Sequence, residues 1–259
     1  MKQLKMRNIH LKINKEFERI PFSFHILYWR NKLKIHAIEL GNGEPILLLH
    51  GWGSNLTLMM PIASSLCHDY RCITLDLFGF GKTDEIENYT SFNDYIECLH
   101  DALEELNVLN PIIIAHSFGA RIAVLYALKY SVKALVLTGA AGLKKPLSLI
   151  NKCKIFLHKK GFIQKGSVDY ENASTFLKKV LIEVVNTDLS EFYAQINIPT
   201  LLVWGELDID TPLWMARKLN KLIKNSQLII FKKEDHFAYY HEYQRFCFIV
   251  KEFLLENSI

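Results

Sequence analysis

Short, unbroken apolar runs recur along this 259-residue chain, and most are followed by a stretch with helical periodicity. Pro45–His50, Arg71–Leu75, Pro111–Ala115, Val132–Thr138, Pro199–Trp204 and Gln227–Phe231 read as strands. A strand that is apolar on successive residues is covered on both faces, which marks a parallel sheet. Leu56–Cys67, Phe92–Leu106, Phe118–Tyr130 and Leu213–Ile223 read as helices, and Tyr243–Leu255 reads as a closing amphipathic helix. In Phe92–Leu106 the side chains of Ile96, Leu99, Leu103 and Leu106 share one face. Two β-like stretches, Phe24–Trp29 and Lys34–Leu40, come before the turn Gly41-Asn-Gly43. The alternation predicts an α/β fold: a mostly parallel central sheet of about eight strands with helices on both faces.

One connection breaks this rhythm. The stretch between Val132–Thr138 and Pro199 is far longer than a plain βα connection of ~2–6 residues plus its helix. It has helical character around Lys152–His158 and Ala173–Val185. We expect a helical cap insertion at about 143–196, lying over the strand ends, within a single domain spanning 1–259. An ordinary pair of covering helices is the plainer reading.

Composition excludes several classes. Hydrophobic residues make up 50% and aromatics 12%, which is too apolar for a disordered chain. No window approaches the ~20 apolar residues of a membrane span. The N-terminus lacks an apolar core followed by a small-residue cleavage site, so no secretory signal is expected. The cysteines are Cys67, Cys72, Cys98, Cys153 and Cys247, widely spaced and without Cys-x-x-Cys. That pattern suits a reducing, cytoplasmic setting and carries no zinc or other metal signature. The net charge of +4 is uneven: residues 1–36 hold nine Lys/Arg against two Glu, and Lys144–Lys165 holds seven lysines and no acid. Neither stretch interleaves aromatics with arginine, so nucleic acid is not expected. They read as solvated faces, or as surfaces drawn to an acidic partner or an anionic membrane.

Four strand ends carry chemistry. In Ile114-Ala115-His116-Ser117-Phe118-Gly119-Ala120 a serine sits between an apolar strand and a helix, with small residues two before and two after it. Such a tight strand-to-helix turn needs small flanking residues, and it lifts the hydroxyl above the sheet at a helix N-terminus. The plainer reading is that Ser117 merely caps the helix. His50-Gly51-Trp52-Gly53 follows another strand. Its Gly-rich turn can aim Trp52 N–H, together with Phe118 N–H, at the space above Ser117, where an oxyanion would form. Otherwise it is a simple turn with a packed tryptophan. Asp208 follows Trp204-Gly205-Glu206-Leu207, and Asp210 is its competitor in the same loop. His236 follows Gln227–Phe231 within Glu234-Asp235-His236-Phe237. Asp208 could fix the tautomer of His236, and His236 could serve as general base. Ser117, Asp208 and His236 each stand just past a strand, in the chain order of α/β-hydrolases.

With these residues in place, the chain resembles the α/β-hydrolase superfamily from about Phe24 to Leu255. The resemblance rests on His50-Gly-Trp-Gly, Asp76-Leu-Phe-Gly-Phe-Gly-Lys-Thr-Asp84, the Ser117 elbow, Trp204-Gly-Glu-Leu-Asp208 and Asp235-His236-Phe237. It implies Ser117 as nucleophile, His236 as base, Asp208 as orienting acid, and the amides of Trp52 and Phe118 as oxyanion donors. Gly51, Trp52, His116 and Phe118 are expected at the substrate, and the Gly79–Gly81 turn shapes the loop after Asp76. Three positions depart from the family pattern: Ala115 replaces the first glycine of the elbow, Phe78 stands where proline is usual, and Gly119-Ala120 where Gly-Gly is usual. Ser117 argues against the dehalogenases and epoxide hydrolases of this fold, which use Asp there.

The resemblance implies hydrolysis of a small-molecule acyl ester with no metal or organic cofactor. Thioester hydrolysis, C–C bond hydrolysis and monoacylglycerol lipolysis use the same three residues, and some members of the fold are receptor-like binding modules. Phe156, Leu157, Phe162, Ile163, Phe176, Leu177 and Leu181 of the cap could line an acyl pocket or simply pack the cap onto the core. The His-Gly-Trp-Gly motif also resembles the esterase that demethylates a pimeloyl-carrier conjugate. In that reading the Lys144–Lys165 lysines would meet an acidic carrier protein.

Overall fold

The computed structural model describes residues 22–29, 33–144 and 173–259. Eight strands form one sheet: β1 (Phe22–Trp29), β2 (Leu33–Leu40), β3 (Glu44–Leu49), β4 (Tyr70–Leu75), β5 (Ile112–His116), β6 (Ala134–Thr138), β7 (Thr200–Gly205) and β8 (Ser226–Phe231). Their spatial order is β1-β2-β4-β3-β5-β6-β7-β8. β1 pairs antiparallel with β2, and β2 antiparallel with β4. Every pairing from β4 across to β8 is parallel. The expected α/β class and strand number are therefore observed.

The apolar runs have the predicted cause. Successive side chains of a strand point to opposite faces. Leu47 and Leu49 of β3, with Ile113 and Ala115 of β5, enter one core. Their neighbours Ile46, Leu48, Ile112 and Ile114 enter the other. Burying each such Leu or Ile contributes about 1.5–3 kcal/mol before the entropy of ordering is charged against it.

Helices cover both faces. The first core is closed by α2 (Phe92–Glu105), α3 (Phe118–Ala127) and α6 (Leu213–Leu222). The second is closed by α1 (Met60–Leu66) and by the C-terminal α8 (Tyr243–Glu256). Local chemistry sets the ends of α2. Ser91 and Asp94 form a reciprocal capping box at its start. Past its end, Asn107 takes φ 52° and Val108 N–H returns to Leu103 O, a C-terminal stop of the left-handed type.

Two segments differ from the sequence reading. Leu56–Cys67 is not one helix but a 3-10 turn, Leu56–Leu58, followed by α1. Pro61 has no N–H to give to an i−4 carbonyl, so an α-helical ladder cannot run through it, and proline sits in the first turn of the new helix instead. Helix α3 ends at Ala127 rather than Tyr130: Lys129 N–H bonds to Tyr126 O, three residues back, in place of its α-helical partner Leu125 O.

Between β6 and β7 the described part of the long connection holds α4 (Thr175–Asn186) and α5 (Ser190–Gln195). The expected helix at Lys152–His158 and nearly all of the Lys144–Lys165 stretch lie outside the described residues. Helix α4 is tied to the body of the protein. Glu183 accepts from Tyr89 OH and from Phe92 N–H at 3.0 Å. The buried Arg121 donates to Val184 O and Thr187 O, each at 3.1 Å, which places a cation at the carbonyl end of α4. Among the described residues no helix is long and apolar enough to cross a membrane. The short α7 (Ala238–His241) precedes α8.

Candidate active site

Parallel strands bring their carboxyl ends to one edge of the sheet, and the loops that follow β3, β5, β7 and β8 meet there. The turn after β5 is strained. Ser117 has φ 52° and ψ −109°, a region that costs a non-glycine residue about 1–3 kcal/mol. Three backbone bonds hold it: Ser117 N–H to Thr138 O at 3.0 Å, and Ala120 and Ala141 N–H to Ser117 O, each at 3.2 Å. Ser117 stands at the N-cap of α3, yet its side chain makes no capping bond. The plainer reading of this serine as a helix cap is thus not what the geometry shows.

Glycine is obligatory on one side of the elbow only. A Cβ at Gly119 would lie 2.6 Å from His50 O and 2.7 Å from Leu49 O, both backbone. Ala115, two residues before Ser117, lies fully buried in β5 between Leu49 and Leu137 with its methyl accommodated. Phe78, in the usual proline position, stacks edge-on against Tyr95 at 5.0 Å, and Tyr95 in turn meets Phe118.

The loops after β7 and β8 supply the carboxylate and the imidazole. His236 Nδ1 lies 2.8 Å from Asp208 Oδ2. Burial alone would raise the Asp208 carboxyl. Bonds from His236 and from the Thr211 backbone and hydroxyl overcome this, and its pKa falls below the usual carboxylate value. An ionised carboxylate only accepts, so Nδ1 carries a proton towards Asp208. Asp210, the competitor, is exposed, and its N–H donates to Asp208 Oδ1 at 2.9 Å.

Thr211 was not anticipated from the sequence. Its N–H donates to Asp208 Oδ1 and its hydroxyl to Asp208 Oδ2, both at 2.8 Å. The buried Trp204 indole N–H donates to Thr211 O at 2.7 Å and fixes the loop from below. An aspartate followed three residues later by threonine is an available signal for such a side-chain-to-backbone turn.

Two further glycines bring the loops into contact. At Gly139, φ is 51° and a Cβ would lie 2.9 Å from His236 Cε1 and Nδ1. At Gly205 a Cβ would lie 2.0 Å from Asp235 O and 2.5 Å from Glu234 O. Gly205→Ala is therefore expected to cost about 3 kcal/mol, the upper end of overpacking penalties. A shift of the urea midpoint with unchanged slope measures it; an unshifted midpoint would show that the two loops are not in such close approach.

The remaining expected residues gather around the same point. His116 is buried, with Nδ1 3.1 Å from Thr138 O and its ring 4.5 Å from that of His236. Burial holds its pKa well below the usual histidine value, and the neighbouring His236 pushes the same way. A Cβ at Gly51 would lie 3.0 Å from His116 Cδ2 and 3.3 Å from Ser117 Cβ. Trp52 packs edge-on between Phe80 at 5.1 Å and Phe118 at 5.3 Å. Phe176 and Leu177 of α4 press on Gly79 from the other side: a Cβ there would meet them at 2.8 Å and 2.9 Å. Among the described residues two trios have donor atoms within 4.8 Å of one another: Asp208, Asp210 and His236, and Glu234, Asp235 and His241. In the first, the two Asp208 oxygens are already engaged by His236, Thr211 and Asp210. The second is a partly exposed cluster in which His241 pairs with Glu234 at 3.0 Å.

An α/β sheet with these loops on its carboxyl edge defines the class of protein, and comparison with known proteins agrees. The family model described as alpha/beta hydrolase fold matches residues 44–173, half of the chain, and a model described as TAP-like protein matches residues 184–259. The chain belongs to the alpha/beta hydrolase fold family. It is 25% identical to an AB hydrolase superfamily protein of Bacillus subtilis, over 88% of this chain and 98% of that protein. It is 29% identical to lipase 1 of Psychrobacter immobilis, over 78% and 75%. It is 23% identical to the pimeloyl-[acyl-carrier protein] methyl ester esterase of Aliivibrio fischeri, over 90% and 98%. Among solved structures, an esterase from Exiguobacterium antarcticum has the same fold, with TM-score 0.73 and 20% identity over 90% of this chain and 99% of that one.

Proposed function

We propose that this chain is a serine hydrolase that cleaves carboxylic esters of small molecules through an acyl-enzyme. The observation that carries the reading is the His236–Asp208 pair, set on the same sheet edge as a strained serine whose side chain does no structural work as a cap. The lipase and esterase among its relatives support the ester as the bond attacked.

In this reading Ser117 Oγ attacks the acyl carbon and passes its proton to His236 Nε2. The carbonyl oxygen becomes an oxyanion held by Trp52 and Phe118 N–H. Phe118 is the first residue of α3, so its N–H has no intrahelical acceptor. The tetrahedral intermediate collapses, the C–O bond breaks, and the leaving alkoxide takes the proton from His236 to depart as alcohol. Water then attacks the acyl-Ser117 ester, with His236 as base, and the carboxylic acid leaves. Asp208 keeps Nδ1 protonated throughout and stabilises the imidazolium formed in each half. Trp52, Phe80, Phe118 and Leu177 give the acyl group an apolar surround. The segment at 143–196 acts as the cap, and the chain works without a resident metal or organic cofactor.

The test is turnover of p-nitrophenyl esters from acetate to long chains. Steady-state hydrolysis with an optimum at short or medium apolar acyl groups is expected. No turnover across the series would overturn the ester assignment and move it to the thioester or C–C chemistry open to the same residues, or to binding alone. An ester on an acidic carrier protein, docked by the lysines of Lys144–Lys165, is the alternative that turnover of such a conjugate, with none of the p-nitrophenyl series, would favour.

A further inference from the structure

His50 is fully buried and takes no part in the chemistry above, yet both of its ring nitrogens are engaged. Leu77 N–H donates to Nε2 at 2.9 Å. A nitrogen that accepts carries no proton, so Nδ1 is the protonated one, and it donates to Gly51 O at 2.8 Å. The tautomer is fixed by two backbone partners on different loops, one after β3 and one after β4. Burial lowers the pKa of His50 and keeps the ring in this neutral form, against the raising effects of the Gly51 bond and of Asp76.

The acceptor is not an arbitrary carbonyl. Gly51 C=O and Trp52 N–H belong to one peptide unit. That unit is planar, and the chain has no cis peptide among its described residues. In a trans unit the C=O and N–H point in opposite directions. Fixing Gly51 O therefore fixes the direction of Trp52 N–H. A hydrogen bond to the carbonyl oxygen also polarises the unit and strengthens its N–H as a donor. The far end of the same loop is pinned separately, by Leu56 N–H to Asp76 Oδ1 at 2.7 Å.

Building on the reading of Ser117 as nucleophile and Trp52 N–H as oxyanion donor, we infer that His50 is a positioning residue: through the Gly51–Trp52 peptide it aims one of the two donors at the oxyanion. It touches neither substrate nor reacting atoms, and its effect falls on the transition state rather than on ground-state binding.

Three variants separate this role from packing. His50→Asn keeps an N–H at the position of Nδ1 and restores the bond to Gly51 O. His50→Gln places its amide at the position of Nε2 and restores only the partner of Leu77 N–H. His50→Ala restores neither. The readout is the rate of Ser117 phosphonylation by a fluorophosphonate, which passes through an oxyanion and releases fluoride, resolved into the limiting rate kinact and the half-saturation constant KI. Loss of an oxyanion donor lowers rates by ~10²–10³-fold, and a misdirected donor should lose about 10–10²-fold. We expect that loss in kinact for Gln and Ala, a value within about threefold of wild type for Asn, and KI unchanged in all three. Equal kinact for Asn and Gln, or a change confined to KI, overturns the inference. If His50→Ala is unstable, the Asn and Gln pair decides alone. Failure of the wild-type protein to label at Ser117 would overturn the nucleophile assignment itself, a result distinct from normal wild-type labelling with variants that do not differ.

Discussion

Ser117→Ala is expected to lower ester turnover by about 10⁴-fold or more and to leave the fold in place. The substitution removes the attacking oxygen and nothing that holds the turn. The three bonds that fix residue 117 all use backbone atoms, and the side chain makes no capping bond. Alanine meets the same backbone penalty at φ 52° as serine, so the strain is carried over rather than relieved. Surface-like changes of this kind usually stay within about 0.5–1 kcal/mol. The measurement is kcat on the best ester of the series, with thermal unfolding alongside. A folded variant that retains a tenth of the activity would remove Ser117 from the chemistry and place the hydrolysis on another group.

Asp208→Asn is expected to lower kcat by about 10⁴-fold with KM little changed. The amide can still accept from Thr211 and Asp210 N–H at one oxygen, so the loop keeps its shape. With its oxygen kept for the loop, it presents an NH₂ at the position now occupied by Oδ2, and that NH₂ donates to His236 Nδ1. This puts the imidazole proton on Nε2, which can then no longer take one from serine. Stability should change with pH in a defined sense. Because the Asp208 carboxyl lies below its usual value in the folded chain, its contribution is present in full above the ordinary carboxylate range and is lost as pH falls through the folded value. The Asn variant should lack that part of the acid limb, seen in denaturant midpoints taken at about pH 2–5. An Asn variant with wild-type kcat would show that His236 needs no carboxylate partner.

Much of this was legible in the chain. The strands of the parallel part were read from apolar runs because burial on both faces forces every residue of such a strand to be apolar, as in Ile112–Ala115. The order serine, aspartate, histidine was legible for a related reason: parallel topology sends each strand's carboxyl end to the same edge, so residues far apart in sequence are placed together by the sheet rather than by any local motif. Helix boundaries were less legible where a single residue overrules periodicity, as Pro61 does.

Pairwise geometry was not legible. Nothing local distinguishes Gly119, where a methyl would strike His50 O, from Ala115, where one is accommodated; the difference lies in how closely β3 passes the start of α3. Spacing cannot tell which of Asp208 and Asp210 faces His236; in the folded chain it is Asp208. Thr211 and His50 act through hydrogen bonds whose other halves, apart from Gly51, come from other loops or other side chains. The sequence by itself determined the class of fold, the edge on which its chemistry collects and the residue types gathered there, because these follow from strand burial and chain order. Only the tertiary structure decided which ring nitrogen of His236 faces Asp208 and which peptide His50 orients, because each depends on atoms that approach within about 3 Å only once the loops have packed together.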